Sequence, residues 1–312
     1  MAVKMDLTLG PIPFHWSAEA RRDFYARIAD EAPVDTVYLG EVICSKRAPF
    51  HEPDLYETAE RLERAGKRVV ISSLAEIMLK RERKATQGLC DGEDGREVEA
   101  NNAAALLHLT GRPHRVGPYM NVYNEETMAF LAARGATHFA LPAELPRDAV
   151  AVLGEKARVL GAGLEVQVFG RASLALSARC YHARAHGRTK DNCQFVCEED
   201  PDGMPLDTLD GPGFLTVNGI QTMSRSYMNL AAAVPEMVGM GVTALRLGPQ
   251  KQDMVAVAHI YRDLADGRIG ADEATSQLDA LKMGPGFSNG FWWGEAGYRR
   301  IARMGAADGV SA

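Results

Sequence analysis

Three cysteines fall close together in this chain, Cys180, Cys193 and Cys197, in a C-x12-C-x3-C array. Thiolates are the usual protein ligands of iron–sulfur clusters and of structural zinc, and both groups generally take four. Cys44 and Cys90 remain as candidates for the fourth. Cys44 ends an apolar run in Tyr38-Leu-Gly-Glu-Val-Ile-Cys-Ser-Lys-Arg47. Cys90 lies in Gln-Gly-Leu-Cys-Asp-Gly after a basic, helix-like run, where a spare thiol is expected. A lone cysteine is more often a small buried hydrophobe than a ligand, but three so near one another weaken that reading. The array is not the tight C-x2-C of a zinc ribbon, and spacing alone does not separate cluster from zinc. Five thiols also make a poor disulfide framework. Asp191, with Gln194 three places on, reads as a capping-box-like helix start. Such a helix sets Cys193 and Cys197 on one face at i and i+4, with Cys180 folding back over 181–192.

Other polar groups sit where barrel enzymes keep their chemistry. Glu41 and Arg246 lie at the C-terminal ends of the second and eighth expected strands and are the catalytic candidates, each weighed against a role in a structural ion pair. His15, Asn121, Arg171 and Asn218 hold comparable positions with less support. His182 and His186 flank the cysteine loop as metal ligands or as exposed loop residues. Asp200-Pro-Asp-Gly203 is a turn. No G-x-S-x-G, H-E-x-x-H or Walker loop occurs, so serine hydrolase, zincin and P-loop readings lack support.

The elements that must carry these residues alternate between strand and helix. Candidate strands are 5–10, 36–39, 68–72, 115–122, 137–141, 164–169, 214–217 and 244–247, mostly short apolar runs of the kind buried on both faces of a parallel sheet. Helix patterns start at Ser17 and cover 57–65, 125–134, 146–160, 227–240 and 253–265. Eight strands predict an α/β fold, a (β/α)8 TIM-barrel-like domain spanning 1–312, with a cysteine-bearing insertion after strand six. The alternative is an open doubly wound sheet, but no G-x-G-x-x-G follows the first strand. The segment 284–312, rich in Gly and aromatics, is expected to close one end.

Composition bounds the class. The 312 residues are 46% hydrophobic and 24% charged, which excludes a disordered chain. A net charge of −6 argues against a nucleic-acid binder. No eighteen-residue apolar run occurs, and residues 1–10 lack a signal-peptide layout, so a cytoplasmic protein is expected.

The run Gly163-Leu-Glu-Val-Gln-Val-Phe-Gly-Arg-Ala-Ser-Leu-Ala-Leu-Ser-Ala-Arg-Cys180 resembles the signature of the collagenase-like peptidase family U32. So do Asp191-Asn-Cys-Gln-Phe-Val-Cys197, Leu39-Gly-Glu-Val-Ile-Cys-Ser-Lys-Arg47, and Ala244-Leu-Arg-Leu-Gly-Pro249 with the later Tyr261-Arg262. The likeness covers nearly the whole chain and is strongest to the V-type branch that serves ubiquinone biosynthesis. It implies a barrel holding a [4Fe–4S] cluster on Cys44, Cys180, Cys193 and Cys197, with no counterpart for Cys90. It further implies an oxygen-independent ring hydroxylase acting on a prenylated ring, with an organic oxygen donor such as prephenate. The implied partners are a homologous U-type subunit, in a heterodimer, and a lipid-binding helper protein. At Gln167, Phe169 and Ala178 the chain departs from the general signature, where an aromatic, a His and a Gly are commoner. Those departures point away from the family's peptidase activity. The rival classes are a U32-type peptidase, for which no triad or open three-ligand zinc site is visible, and a non-catalytic metal-stabilised scaffold.

Overall fold

A computed structural model of the chain describes residues 5–92 and 95–302. Seven parallel strands come first: β1 (Asp6–Leu9), β2 (Thr36–Leu39), β3 (Arg68–Ser72), β4 (Glu97–Ala100), β5 (His114–Val116), β6 (Ala136–Ala140) and β7 (Gly163–Gly170). The chain then leaves the ring through β8 (Ser173–Leu176), β9 (Met204–Asp207), β10 (Gly213–Asn218), β11 (Gln221–Ser224) and β12 (Tyr227–Asn229). It returns with β13 (Ala244–Leu247), which lies parallel to both β7 and β1 and closes an eight-stranded barrel. A last short strand, β14 (Phe287–Ser288), pairs with β12.

Helices wrap the ring: α1 (Ala18–Glu31), α2 (Glu52–Arg64), α3 (Lys80–Cys90), α4 (Ala103–Leu109), α5 (Glu125–Ala132) and α6 (Arg147–Leu160). After them come α7 (Tyr181–Ala185) in the insertion, α8 (Val234–Met237), α9 (Met254–Ala265) and α10 (Ala271–Ala280). Several start on side-chain caps, where the oxygens of Ser17, Asn102, Asn124 and Asp253 accept backbone N–H groups of the first turn. Strands β2 and β13 are buried along their whole length, which is why they are apolar runs without alternation.

The barrel is as expected, but its membership differs from the sequence reading in three places. Residues 214–217 belong to β10, which is antiparallel to β9 and β11 in a separate four-stranded sheet ordered β8-β11-β10-β9. The cause is the two-residue connection Gly219-Ile220 between the paired Asn218 and Gln221, with Gly219 at φ +63. Glycine at the first position of a two-residue loop is a hairpin signal. The eighth barrel strand is instead β4, whose Glu97-Val-Glu-Ala alternates polar and apolar residues and so does not read as a buried parallel strand. In consequence the cysteine-bearing insertion follows the seventh barrel strand, not the sixth. Two shorter corrections follow. Residues 118–120 form a 3-10 turn rather than extending β5, and the 227–240 pattern splits into β12, a 3-10 turn at Ala231–Ala233 and α8.

The C-terminal aromatic segment packs where it is described. Trp292 is buried and its Nε1 donates to Glu236 Oε1 at 2.8 Å. Residues 303–312 lie outside the described residues.

Candidate metal centre

The loop after β2 turns on Gly40, at φ +119, where a Cβ would stand 2.7 Å from the Ser72 carbonyl oxygen. Only glycine fits there without strain. Glu41 then acts on its own loop: Oε1 accepts from the N–H groups of Ile43 and Cys44, each at 2.9 Å, and Oε2 meets His51 Nε2 at 3.2 Å. Burial pushes the Glu41 carboxyl up, against the pull of Arg47. Burial also holds His51 down at about 3. Glu41 is therefore a positioning residue for Cys44. It does not pair with Arg246, which lines a different cavity.

The other three thiols come from the insertion. Cys180 caps α7, its Sγ accepting from Ala183 N at 3.4 Å. The helix expected to start at Asp191 does not form. Gln194 and Phe195 both take left-handed conformations, φ 49 and 53, and only a 3-10 turn, Val196–Glu199, follows. That irregular backbone, not helical periodicity, brings Cys193 and Cys197 to one cavity. Lys46 Nζ clips the two segments together, donating to the carbonyls of Lys190 at 2.8 Å and Asp191 at 3.0 Å.

Cys44, Cys180, Cys193 and Cys197 line that cavity together. At about 20 Å³ it is a space closed by its own side chains and not a substrate cleft. Cys90 lies elsewhere, in a separate apolar cluster with Val98, Ala100, Ala105 and Leu109. Burial pushes the thiols of Cys44, Cys180 and Cys197 up, and for Cys44 and Cys197 the largest opposing influence is Arg47. Cys90 is pushed up to about 11 by burial.

Arg47 is the informative neighbour. It is 1% exposed. Its Nη1 donates to the Pro13 carbonyl at 2.8 Å and its Nη2 to Asn218 Oδ1 at 3.0 Å. Its Nε is buried without a partner in hydrogen-bonding geometry, with the Cys197 thiol alongside. Among the described residues no carboxylate forms an ion pair with it. A buried cation without a counterion is costly. A set of metal-bound thiolates would supply the missing negative charge, so the donor set fits an anionic thiolate centre.

Among the described residues, His182, His186 and Asp200 bring three ligand-type atoms within 4.8 Å of one another. His182 itself is fully buried and its Nε2 donates to Asp200 Oδ2, 2.8 Å away, so the pair pins α7 to the turn at Asp200.

Beside this centre lies the mouth of the barrel, a cavity of about 350 Å³ roofed by β8 and β11. Arg246 forms its floor, with Arg171, Asn121 and Gln167 also facing it. Arg171 is tied to Asp202 Oδ2 at 2.8 Å. His15 lies away from this mouth, against Phe50 and Phe195, and burial lowers it to about 4. Asn218 serves Arg47 rather than the cavity.

Below the floor runs a buried polar network that sequence reasoning missed. Arg246 Nη1 meets Glu99 Oε1 at 2.7 Å, and its guanidinium stacks over the Tyr38 ring at 4.2 Å. Tyr38 OH donates to Glu165 Oε2 at 2.6 Å, which also meets His138 Nε2 at 2.8 Å. Arg115 bridges Tyr38 OH at 2.9 Å and Glu97 Oε2 at 2.7 Å. Glu165 is held well below the usual carboxylate range, with burial opposed by Arg246 and His138. Charged residues inside strands, as in β4 and β7, were the available signal.

The profile of peptidase family U32 matches residues 17–301. The chain belongs to peptidase family U32. Among solved structures, one chain that this family member resembles is described as an uncharacterized protein from Clostridium thermocellum that binds two copies of 5-methyl-5,6,7,8-tetrahydrofolic acid. The match has a TM-score of 0.45 at 9% identity, covering 88% of this chain and 96% of that one. That likeness carries no argument about function. No helix among the described residues is long and apolar enough to cross a membrane.

Proposed function

We propose that this U32 member is a UbiV-like iron–sulfur subunit of an oxygen-independent hydroxylase acting on the ring of ubiquinone precursors. Cys44, Cys180, Cys193 and Cys197 hold a [4Fe–4S] cluster in this reading. The observation that carries it is the convergence of four thiols around a buried guanidinium, Arg47, that has no carboxylate partner among the described residues. When bound, the cluster supplies one-electron chemistry that no side chain provides.

The chain's own residues have distinct tasks. Glu41 fixes the backbone of Cys44. Arg47, held by Asn218 and the Pro13 carbonyl, offsets the charge of the thiolates and favours their deprotonated form. Val42 and Ile43 form the apolar wall between the thiols and the barrel mouth, where the ring is presented above Arg246. An organic donor such as prephenate carries anionic groups, and Arg171 and Arg246 are the cations that face this cavity. The prenylated substrate, a homologous UbiU-like subunit in a heterodimer and a UbiT-like lipid-binding helper complete the proposal, with the complex in the cytoplasm.

A peptidase reading gains nothing from these thiols. Reactive cysteines sit in partly exposed surroundings, whereas Cys180 and Cys197 are buried. The test is anaerobic purification with iron and sulfide assays and visible and EPR spectra, followed by ring hydroxylation with labelled donor, water and O2. Four irons and four sulfides per chain, and label from the donor, are expected. A colourless protein with stoichiometric zinc, or label from O2, overturns the proposal.

A further inference from the structure

Helices α2 and α3 do not close on each other. Around the rest of this side, α1 packs on α2 and α3 on α4. The gap leaves a cavity of about 570 Å³ over the outward side chains of β2, β3 and β4. Leu39, Ile71 and Val98 form its floor, and Tyr25, Leu55 and Ala59 its apolar side. That size and lining are those of a small-molecule site.

Charge is not distributed evenly around it. At the rim, Arg22 is paired with Asp54 at 2.9 Å and Arg96 with Glu63 at 2.7 Å. Arg21 also lines the cavity and is 7% exposed, and its guanidinium has neither a hydrogen-bond nor an ion-pair partner among the described residues. It stacks on Tyr25 at 6.0 Å from the ring centre. The nearby Glu41 is already met by two backbone N–H groups and His51. A glycine also stands at its exposed edge. Gly88 faces the cavity from within α3, where glycine costs about 1 kcal/mol relative to alanine, and a Cβ there would meet nothing within 4 Å.

We propose that this cavity binds a monomeric amphiphile, an apolar chain or ring with an anionic head that pairs with Arg21. The site is distinct from the thiol centre and from the barrel mouth, and does not depend on the cluster reading. It shares one wall with both. In the loop after β2, Glu41 and Ser45 face this cavity, Val42 and Ile43 the barrel mouth, and Cys44 and Arg47 the thiol centre.

The experiment is calorimetric titration of the anaerobically purified chain with dodecanoate, with 1-dodecanol as the neutral-headed arm and anionic phospholipid vesicles as the bilayer arm. One dodecanoate per chain is expected. Arg21→Met weakens dodecanoate at least tenfold, as expected for loss of a charge-assisted contact, and changes dodecanol less than twofold. Arg21→Lys restores part of the loss. Gly88→Leu abolishes both while keeping or raising the melting midpoint, so loss of binding cannot be loss of fold. No saturable binding by the unmodified chain, unchanged dodecanoate binding in Arg21→Met or Gly88→Leu, or binding to vesicles only, each overturns the proposal. Iron content, assayed on the same samples, reports separately on the cluster.

Discussion

Two buried arginines have opposite surroundings. Arg246, inside the barrel, finds Glu99 at 2.7 Å and Glu165 at 3.8 Å and closes a network in which every charge has a partner within the chain. Arg47, under the thiols, has two neutral acceptors, a buried Nε without a hydrogen-bond partner, and no carboxylate in ion-pair contact among the described residues, Glu41 acting on it only from farther off. A buried charge whose counterion belongs to the same chain is balanced before any ligand arrives. One whose counterion is missing marks a place where an anion from outside the polypeptide belongs.

The comparison is broken or sharpened most strongly by the cysteines. Cys44→Ala, Cys180→Ala, Cys193→Ala and Cys197→Ala should each lose most of the iron, while Cys90→Ala keeps it, as read by iron and sulfide per chain after anaerobic reconstitution. Iron lost with Cys90 and kept without Cys44 would detach Arg47 from the metal altogether. Next in size is Arg246→Met, which strands Glu99 and Glu165 and should cost about 3–5 kcal/mol in urea unfolding. A cost below about 1 kcal/mol would mean the network is not held by its charges.

Arg47→Met is the converse. With no partner carboxylate to strand, the metal-free protein should unfold within about 1 kcal/mol of the parent or be more stable. The loaded protein should bleach faster in air. An Arg47→Met variant that destabilises the metal-free form as much as Arg246→Met does would erase the distinction.

The smallest effect is in pH. His15, held down at about 4 by burial with Arg47 and Arg21 beside it, stays neutral when folded but protonates near 6.5 when unfolded. Its stabilising contribution is present above about pH 6.5 and is lost as pH falls towards 4, on the order of 1–2 kcal/mol. His15→Phe should make the loss in that window shallower without abolishing it, because His51, held lower still, loses stability over the same range. Glu165, depressed when folded, contributes above the usual carboxylate range and loses its contribution only in stronger acid. A single acid transition with no loss between pH 6.5 and 4 would count against the assignment to His15.

Much of this was readable in the residues. Apolar runs at regular spacing declared a barrel, because strands covered on both faces need apolar side chains throughout. The C-x12-C-x3-C array and Cys44 pointed to the segments that now share a cavity. What failed did so for identifiable reasons. Strand β4 was missed since its two glutamates suit a surface, and only Arg115 and Arg246, far away in sequence, make them tolerable inside. Strand β10 was assigned to the barrel because a run of apolar residues does not state its partner or direction. Nothing local to the Leu39–Arg47 segment reveals that Arg47 is buried.

The sequence by itself determined what depends on neighbours along the chain: the strand and helix periods, the glycine at a left-handed turn, the number and type of thiols. Only the tertiary structure decided which of five thiols face one another, which arginine has a carboxylate and which has none, and that a gap opens between α2 and α3. Those are properties of residues far apart in sequence, and their energies arise only when folding removes water from around them.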